Sequence, residues 1–278
     1  MTDNLDFLNK IQGILGTICR KTAKESAVDF DRFINDGAEE KFGLDLSDEK
    51  VLRKECALLQ RIAHSFFVIC EVKKASPSKG IIREKFNPLE IAREYERAGA
   101  SALSVLTEKN YFLGSRDFLS GIREITSLPL LRKDFIFHPF QIYESQQLGA
   151  DMLLLIAACL PDGRLKKMYD LSRKMGILPL IEVHTEEELE YALSCSPVFL
   201  GINNRNLITF EVNLHTSLRL IKKIPAGIKV ISESGIETPD DIKKLRDSGF
   251  HGALIGTSLM RQPDIAHALS ALLKNIQE

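Results

Sequence analysis

Side chains capable of acid–base chemistry follow six short apolar runs of the chain. The most informative run ends in Lys133. The other five are followed by Glu71 and Lys73, by Thr107 and Glu108, by Glu182, by Asn203 and Arg205, and by Glu233. Carboxylates and lysines that share a partly desolvated pocket shift one another's pKa values, so they can act as general acids and bases near neutral pH. One charge at a strand end is ordinary, but six in series predict a shared site.

Small residues after the last two apolar runs predict a phosphate site beside this set. Ser234 and Gly235 follow the seventh run, and Gly256, Thr257 and Ser258 follow the eighth. Small side chains there let backbone N–H groups and a helix N-terminus converge on an anion. Apolar side chains near the charged groups suit a flat apolar part of the same ligand. They are Phe112, Phe135 and Leu207.

Eight apolar runs alternate with helix signals from residue 67 onward, and these elements must position the polar groups. The predicted strands lie near residues 67–71, 102–106, 129–132, 152–156, 178–182, 198–202, 228–232 and 252–255. Runs without polar alternation are expected for parallel strands buried on both faces. Eight such units predict a (β/α)8 TIM barrel, in which functional groups collect at the carboxyl ends of the strands. A doubly wound open sheet is the alternative, but its usual glycine-rich turn does not follow the first run.

Capping residues mark the predicted helix starts. Asn87 precedes a proline, Thr238 precedes another, and Thr185 with Glu188 predicts a capping box.

Residues 1–66 stand outside the strand–helix pattern. Apolar residues spaced as on one helix face predict two amphipathic helices there. They are Leu8, Ile11, Leu15 and Ile18 in the first helix, and Val51, Leu58, Leu59 and Ile62 in the second. The segment 35–47 between them is predicted to be turn and surface. We expect residues 1–66 to be a helical extension over the bottom or mouth of the barrel, within one domain spanning residues 1–278.

The composition predicts an ordinary cytoplasmic protein. A net charge of −1 and a pI of 6.6 give no basic field that would attract nucleic acid. No apolar run approaches the roughly 20 residues that span a membrane, and the N-terminus lacks the pattern of a secretory signal. The five cysteines are widely spaced, which indicates reduced thiols. His184 is placed to share the face of Glu182, but no metal-ligand spacing joins it to another histidine.

Seven motifs, in order along the chain, resemble those of the indole-3-glycerol phosphate synthase family. They are 71–80 (EVKKASPSKG), 104–108 (SVLTE), 131–135 (LRKDF), 181–184 (IEVH), 201–207 (GINNRNL), 232–236 (SESGI) and 254–260 (LIGTSLM). The resemblance implies a (β/α)8 barrel carboxy-lyase of tryptophan biosynthesis. That family converts 1-(2-carboxyphenylamino)-1-deoxyribulose 5-phosphate into indole-3-glycerol phosphate, CO2 and water, with no metal or organic cofactor.

The resemblance also implies roles for individual residues. Lys133 is expected to be the catalytic acid of ring closure, and Asn203 belongs to the same catalytic set. Glu182, Glu71 and Lys73 are expected to serve the later steps, with the one that acts in dehydration left open. The implied substrate-binding residues are Ser76, Glu108, Phe112, Phe135, Arg205, Leu207, Glu233 and Ser234. The implied phosphate-binding residues are Gly235, Gly256 and Thr257.

Two other functions stay open at this point. Another phosphate-binding barrel, such as a Schiff-base aldolase, would use a lysine covalently. A non-catalytic binding barrel would lack acid–base groups, whereas all of the family's groups are present in this sequence. In the favoured interpretation the protein binds a small phosphorylated substrate and works as a monomer or homodimer.

Overall fold

Eight parallel strands close into a barrel in this computed structural model, which describes residues 5–35, 55, 57–62 and 65–274. The strands are β1 Phe67–Val72, β2 Ala102–Leu106, β3 Leu130–Lys133, β4 Met152–Ile156, β5 Leu178–Val183, β6 Phe199–Asn203, β7 Lys229–Glu233 and β8 Gly252–Ile255. Each strand pairs with its neighbours in sequence, and β1 pairs with β8 to close the cylinder. The eight predicted strands and the (β/α)8 fold are confirmed.

The strand register brings polar residues to one end of the barrel. Lys133 is the last residue of β3, and Asn203 and Glu233 are the last residues of β6 and β7. Asn203 lies opposite Glu233, and Glu182 of β5 lies opposite Gly201 of β6. Below these ends the strands are apolar and buried, as in β4, so side chains fill the barrel interior in packed layers. The polar ends are therefore held on a rigid wall.

Helices surround the strands. They are α1 Gly13–Glu25, α2 Ala27–Asn35, α3 Pro88–Arg97, α4 Arg116–Ile125, α5 Pro139–Gln147, α6 Arg164–Lys174, α7 Glu186–Leu193, α8 His215–Leu220, α9 Pro239–Asp247, α10 Thr257–Met260 and α11 Ile265–Leu273. The predicted caps form, since Asn87 accepts hydrogen bonds from the first turn of α3 and Thr238 exchanges hydrogen bonds with Asp241 of α9. Within the part of the chain that the structure describes, no helix is long and apolar enough to cross a bilayer.

The capping box predicted at Thr185 forms only in part. The Thr185 hydroxyl accepts a hydrogen bond from the Glu188 N–H at 3.2 Å, as predicted. The Glu188 carboxylate instead accepts a hydrogen bond from the backbone N–H of His184 at 2.7 Å and lies 2.9 Å from its Nδ1. The predicted reciprocal bond is wrong because the histidine one residue upstream offers this carboxylate a backbone and a ring partner together.

The first part of the N-terminal extension packs at the mouth of the barrel. A 3-10 helix, Leu5–Lys10, precedes α1, so the single helix predicted through Leu8 and Ile18 is interrupted. Gly13, with a φ of 65°, marks the break. Cys19 of α1 faces Cys159, which follows β4, and the two free thiols have their sulfur atoms 3.6 Å apart. This part of the extension therefore covers the carboxyl end of β4.

The second predicted helix of the extension is confirmed where the structure describes it. Residues 57–62 are helical and bury Leu58 and Ile62. Glu55 pairs with Arg173, near the end of α6, at 2.8 Å. Because the helices run antiparallel to the strands, this contact lies at the bottom of the barrel. Val51 and residues 36–47 of the predicted turn lie outside the described residues.

A buried arginine ties β3 to α5 directly behind Lys133. The Arg132 side chain is 1% exposed, and its guanidinium lies 3.1 Å from Asp134 and 2.7 Å from Glu144. It also donates a hydrogen bond to the Ser145 hydroxyl at 3.1 Å. Side chains alternate between the two faces of a strand. The outward Arg132 network therefore anchors the end of β3 while Lys133 points into the barrel.

Arg132→Ala is expected to lower the free energy of unfolding by about 3–5 kcal/mol, because it leaves the buried Asp134 carboxylate without its cation and takes from Glu144 one of its two arginine partners. Urea unfolding followed by circular dichroism measures the change. The control is Lys166→Ala, which removes an exposed pair with Asp170 and should cost under about 0.5 kcal/mol. Equal stability of the two variants would contradict an anchoring role for Arg132.

Candidate active site

A cavity of about 430 Å³ opens at the carboxyl ends of the strands. Its volume lies within the range of pockets for small molecules. Most of the predicted site residues line it, although they come from distant parts of the sequence. They are Glu71, Lys73, Phe112, Lys133, Phe135, Glu182, Asn203, Arg205, Leu207, Glu233, Ser234, Gly235, Gly256 and Thr257.

Lys133 lies between two buried carboxylates at the base of this cavity. Its Nζ is 2.6 Å from Glu233 Oε2 and 3.1 Å from Glu182 Oε2. Together with Glu71, these residues come from β1, β3, β5 and β7. Alternate strands of a (β/α)8 barrel contribute the side chains of one interior layer. The uppermost layer of this barrel is therefore charged.

The groups of this layer shift one another's pKa values. Burial disfavours the ammonium of Lys133, but the nearby carboxylates, Glu182 first, outweigh burial and raise its pKa. Burial also disfavours the ionised form of Glu182, yet Lys133 and His184 hold its pKa below the usual range. Burial raises the pKa of Glu233 to about 7, since Lys133 offsets only part of the cost and Glu182 repels a second negative charge. The layer thus combines a fixed cation, a fixed anion and a carboxyl group that exchanges its proton near neutral pH.

Two more cations stand at the edge of the layer. Lys73 donates a hydrogen bond to Glu71, and both side chains are largely buried. The Arg205 N–H donates to Asn203 Oδ1 at 3.0 Å, and its guanidinium donates to the Phe210 carbonyl at 3.1 Å. Because Lys73 and Arg205 both line the cavity, they place positive charge where anionic groups of a ligand can meet it.

Glycines make room for the carboxylates of the layer. A Cβ on Gly201 of β6 would fall well inside van der Waals contact of Glu233 Oε1, and a Cβ on Gly256 would do the same to Glu71 Oε1. A side chain at either position would displace a carboxylate of the charged layer. At Gly235 the φ is 76°, and a Cβ there would clash with the side chain of Val212, so the turn after β7 also requires glycine.

An apolar wall faces the charged layer. The rings of Phe112 and Phe135 lie 6.1 Å apart, centroid to centroid, with their planes inclined by 43°. Leu207 and Phe210 add to the same cavity. The arrangement suits an aromatic ligand group, which can pack offset-stacked or edge-to-face against these rings.

Two of the predicted site residues, Ser76 and Glu108, do not line the cavity. Glu108 is buried, and its carboxylate accepts hydrogen bonds from the N–H groups of Asn110, Tyr111 and Phe112 at 2.7–3.0 Å. It therefore shapes the loop that carries Phe112. Ser76 is buried in a short hairpin in which Ala75–Ser76 pairs with Gly80–Ile81.

Several residues of the site were not predicted. Among the further cavity residues are Lys79, Asp134, Phe210 and Arg261. The first two stand inside motifs 71–80 and 131–135, so the sequence carried a signal for them. The other two carry no local signal, because loop conformation brings them to the cavity. His184 shares the face of Glu182, as its spacing suggested, and places Nε2 3.2 Å from Glu182 Oε1.

The barrel and the charged layer at its mouth define an enzyme of the (β/α)8 class with an acid–base centre. The family model "Indole-3-glycerol phosphate synthase" matches residues 37–272. Two proteins of that name are each 50% identical to this chain. One, from Carboxydothermus hydrogenoformans, aligns over 207 residues, and the other, from Polaromonas naphthalenivorans, over 205; each alignment covers 74% of this chain and 78% of the relative. The chain belongs to the indole-3-glycerol phosphate synthase family and is a carboxy-lyase.

Comparison with solved structures confirms the fold. A 3-hexulose-6-phosphate synthase superposes with a TM-score of 0.61 and 12% identity, covering 76% of this chain and 100% of that one. A thiamine phosphate pyrophosphorylase from Pyrococcus furiosus gives a TM-score of 0.57 and 17% identity, covering 78% and 98%. At such low identities the likeness concerns the barrel alone.

Gly201→Ala is expected to lower kcat by about tenfold or more, because the added methyl group pushes the Glu233 carboxylate away from Lys133. Overpacking should also cost about 1–3 kcal/mol of stability. The control is Gly121→Ala, whose Cβ would meet only a flexible Leu89 methyl group at 3.3 Å. Turnover is followed by the fluorescence of the indole product. A Gly201→Ala enzyme as active as Gly121→Ala would show that the glycine does not position Glu233.

Proposed function

We propose that this cavity carries out the synthase reaction on 1-(2-carboxyphenylamino)-1-deoxyribulose 5-phosphate, with Lys133 as the acid of ring closure. Membership of the family and the 50% identity of its relatives support the overall reaction. The position of Lys133 between Glu182 and Glu233 carries the assignment of the acid. Ring closure needs a preorganised cation beside an oxygen atom that becomes negative.

Ring closure begins when the carboxylate-bearing ring carbon of the substrate attacks the C2′ carbonyl. A new carbon–carbon bond forms, and the electron pair of the C=O bond moves to oxygen. The raised pKa keeps Lys133 protonated at neutral pH, so its ammonium stabilises this developing charge. The alkoxide is more basic than an amine and takes the proton from Nζ.

Loss of CO2 and then of water completes the reaction. The carboxylate departs as CO2 and leaves its bonding electrons to restore the aromatic ring. The C2′ hydroxyl must then be protonated to leave as water, while a base removes a proton from the new five-membered ring. Glu182, Glu71 and Lys73 are the groups we assign to these steps as a set. Lys73 is also suited to hold the substrate carboxylate before it departs.

Three chemically distinct parts of the substrate would fix its orientation. The phosphate would bind at Gly235, Gly256 and Thr257, after β7 and β8, which is where many (β/α)8 barrels bind phosphate. The aromatic ring would pack on Phe112 and Phe135. Leu207 would add to this apolar contact, whereas Asn203, Arg205 and Ser234 would bind the carboxylate and polyol. Ser76 and Glu108 would act from behind the cavity wall.

A Schiff-base aldolase is disfavoured by the charge around Lys133. A lysine that attacks a carbonyl must first lose its proton, and aldolase-type lysines achieve this through a depressed pKa. The buried carboxylates beside Lys133 raise its pKa instead. Lys133 is therefore suited to donate a proton and is a poor nucleophile.

We also propose that the extension and the barrel form one domain spanning residues 1–278. The proposal is supported by Phe7, Leu8 and Leu15, which belong to the same buried apolar cluster as the barrel strands.

We further propose a cytoplasmic location for the protein. The four described cysteines are free thiols, which supports this location.

Lys133→Ala is expected to reduce kcat to below about a tenth of the wild-type value, a loss of more than about 1.4 kcal/mol in barrier, while largely preserving the fold. Indole fluorescence measures turnover, and circular dichroism checks the fold. The surface variant Lys166→Ala is the control. A folded Lys133→Ala enzyme that keeps more than a tenth of wild-type kcat would remove Lys133 from the acid's role.

Glu182→Gln is expected to lower kcat by a larger factor than it raises KM, because the carboxylate acts on the reacting atoms more than on ground-state binding. Steady-state kinetics with the ribulose phosphate substrate measure both constants. Glu186→Gln, on the exposed start of α7, is the matched control. An unchanged kcat in Glu182→Gln would reassign that carboxylate to a structural role.

A further inference from the structure

His184 lies between two carboxylates at the carboxyl end of β5. Its Nε2 is 3.2 Å from Glu182 Oε1, and its Nδ1 is 2.9 Å from Glu188 Oε2. The same Glu188 oxygen accepts the backbone N–H of His184 at 2.7 Å, which fixes the histidine from a second direction. The side chain is only 8% exposed. The ring is thus clamped between a residue of the charged layer and the first turn of α7.

The partners of the ring determine its protonation state. An ionised carboxylate only accepts hydrogen bonds and attracts a cation, so Glu188 at Nδ1 and Glu182 at 3.2 Å from Nε2 together favour the ring form in which both nitrogens carry a proton. Burial disfavours this imidazolium, but Glu182 and Glu188 outweigh burial and raise the pKa of His184 to about 10. His184 therefore carries a positive charge at neutral pH.

Glu182 consequently meets a cation at each of its oxygens. Oε2 lies 3.1 Å from Lys133 Nζ, and Oε1 lies 3.2 Å from His184 Nε2. A cation beside each oxygen stabilises the charge of the carboxylate and opposes its rotation, with His184 Nε2 acting as an ion-pair partner outside hydrogen-bond geometry. Lys133 alone would hold Glu182 less firmly, because its ammonium is shared with Glu233 at 2.6 Å.

We propose that His184 is a positioning residue for the synthase reaction, whose imidazolium holds Glu182 in the orientation needed for catalysis and keeps it ionised. The inference rests on the proposed role of Glu182 in the reaction. His184 does not line the catalytic cavity, so it acts through Glu182 and not on the substrate. Glu188, together with Glu182, in turn keeps His184 charged.

Other charged groups near His184 come from several elements. A second cavity of about 570 Å³ borders the ring, and its charged lining residues besides Glu188 are Lys10, Arg205, Glu211 and Arg219. The Cys159 thiol also lies near Glu182 and Glu188, and burial raises its pKa so that it stays neutral. Among the described residues, the ion-pair partners of the ring are Glu182 and Glu188. These two carboxylates therefore dominate its titration.

The test compares three variants of the full chain by their kcat–pH profiles. His184→Asn is expected to lower kcat by about tenfold with KM changed less than about threefold. It should also move the acid limb of kcat to higher pH, since Glu182 loses one of its two cations. Glu188→Gln keeps the ring but removes one of the two carboxylates that raise its pKa. It should therefore resemble wild type near pH 6 and fall towards His184→Asn above about pH 8, as the ring loses its proton.

The control is Glu186→Gln, two residues from Glu188 on the same helix, whose side chain pairs with Arg219 and Lys223 at the surface. It should follow the wild-type profile throughout. The inference would be overturned if kcat of His184→Asn stayed within about twofold of wild type across the pH range. It would also be overturned if the kcat–pH profile of Glu188→Gln ran parallel to that of wild type. If His184→Asn fails to fold, Glu188→Gln alone decides. Inactive wild-type enzyme and inactive Glu186→Gln would instead count against the proposed function.

Discussion

One ammonium group shared by two buried carboxylates is the interaction on which the site depends. Lys133 lies within 3.1 Å of both Glu182 and Glu233, and all three side chains are removed from bulk water. One positive charge cannot neutralise two negative charges in a medium of low dielectric constant. The conflict is resolved by different means for each partner. Glu182 gains His184 as a second cation, whereas Glu233 keeps a proton up to near neutral pH.

The barrel makes this arrangement possible because it fixes the strands before the charges meet. Leaving a buried charge without a partner is costly, so the groups must arrive at hydrogen-bond distance without further adjustment. Strands β3, β5 and β7 supply that rigidity through the apolar layers beneath them. Gly201 leaves the space that the Glu233 carboxylate occupies, and Arg132 fixes the end of β3 from outside. The chemistry is thus supported by residues that never meet the substrate.

Much of the fold and part of the site could be predicted from the sequence. Eight apolar runs without polar alternation predict eight parallel strands, because a strand buried on both faces has no solvent-exposed positions for polar residues. A charge directly after such a run, as at Lys133, must then lie at the mouth of the barrel. The apolar runs do not show which groups each charged side chain will contact. Glu108 follows its apolar run as Glu182 does, yet its carboxylate accepts hydrogen bonds from the N–H groups of its own loop.

Local sequence patterns also gave incomplete predictions where competing contacts, backbone conformation or tertiary packing decided the structure. Glu188 stands at the capping-box spacing from Thr185, but His184 takes its carboxylate. The helix predicted through Leu8 and Ile18 has the right apolar face but breaks at Gly13, whose left-handed backbone no periodicity reveals. The position of the extension over both ends of the barrel likewise depends on tertiary packing at Cys19 and Glu55.

The most direct test of the shared-ammonium account is a carbon-13 NMR titration of the glutamate carboxyl groups in the wild-type enzyme and in Glu233→Gln. The account predicts one carboxyl resonance that titrates with a pKa of about 7 and is missing from the variant. It would be contradicted if no glutamate of the wild-type protein titrated near neutral pH, or if the resonance that does so persisted after residue 233 is replaced.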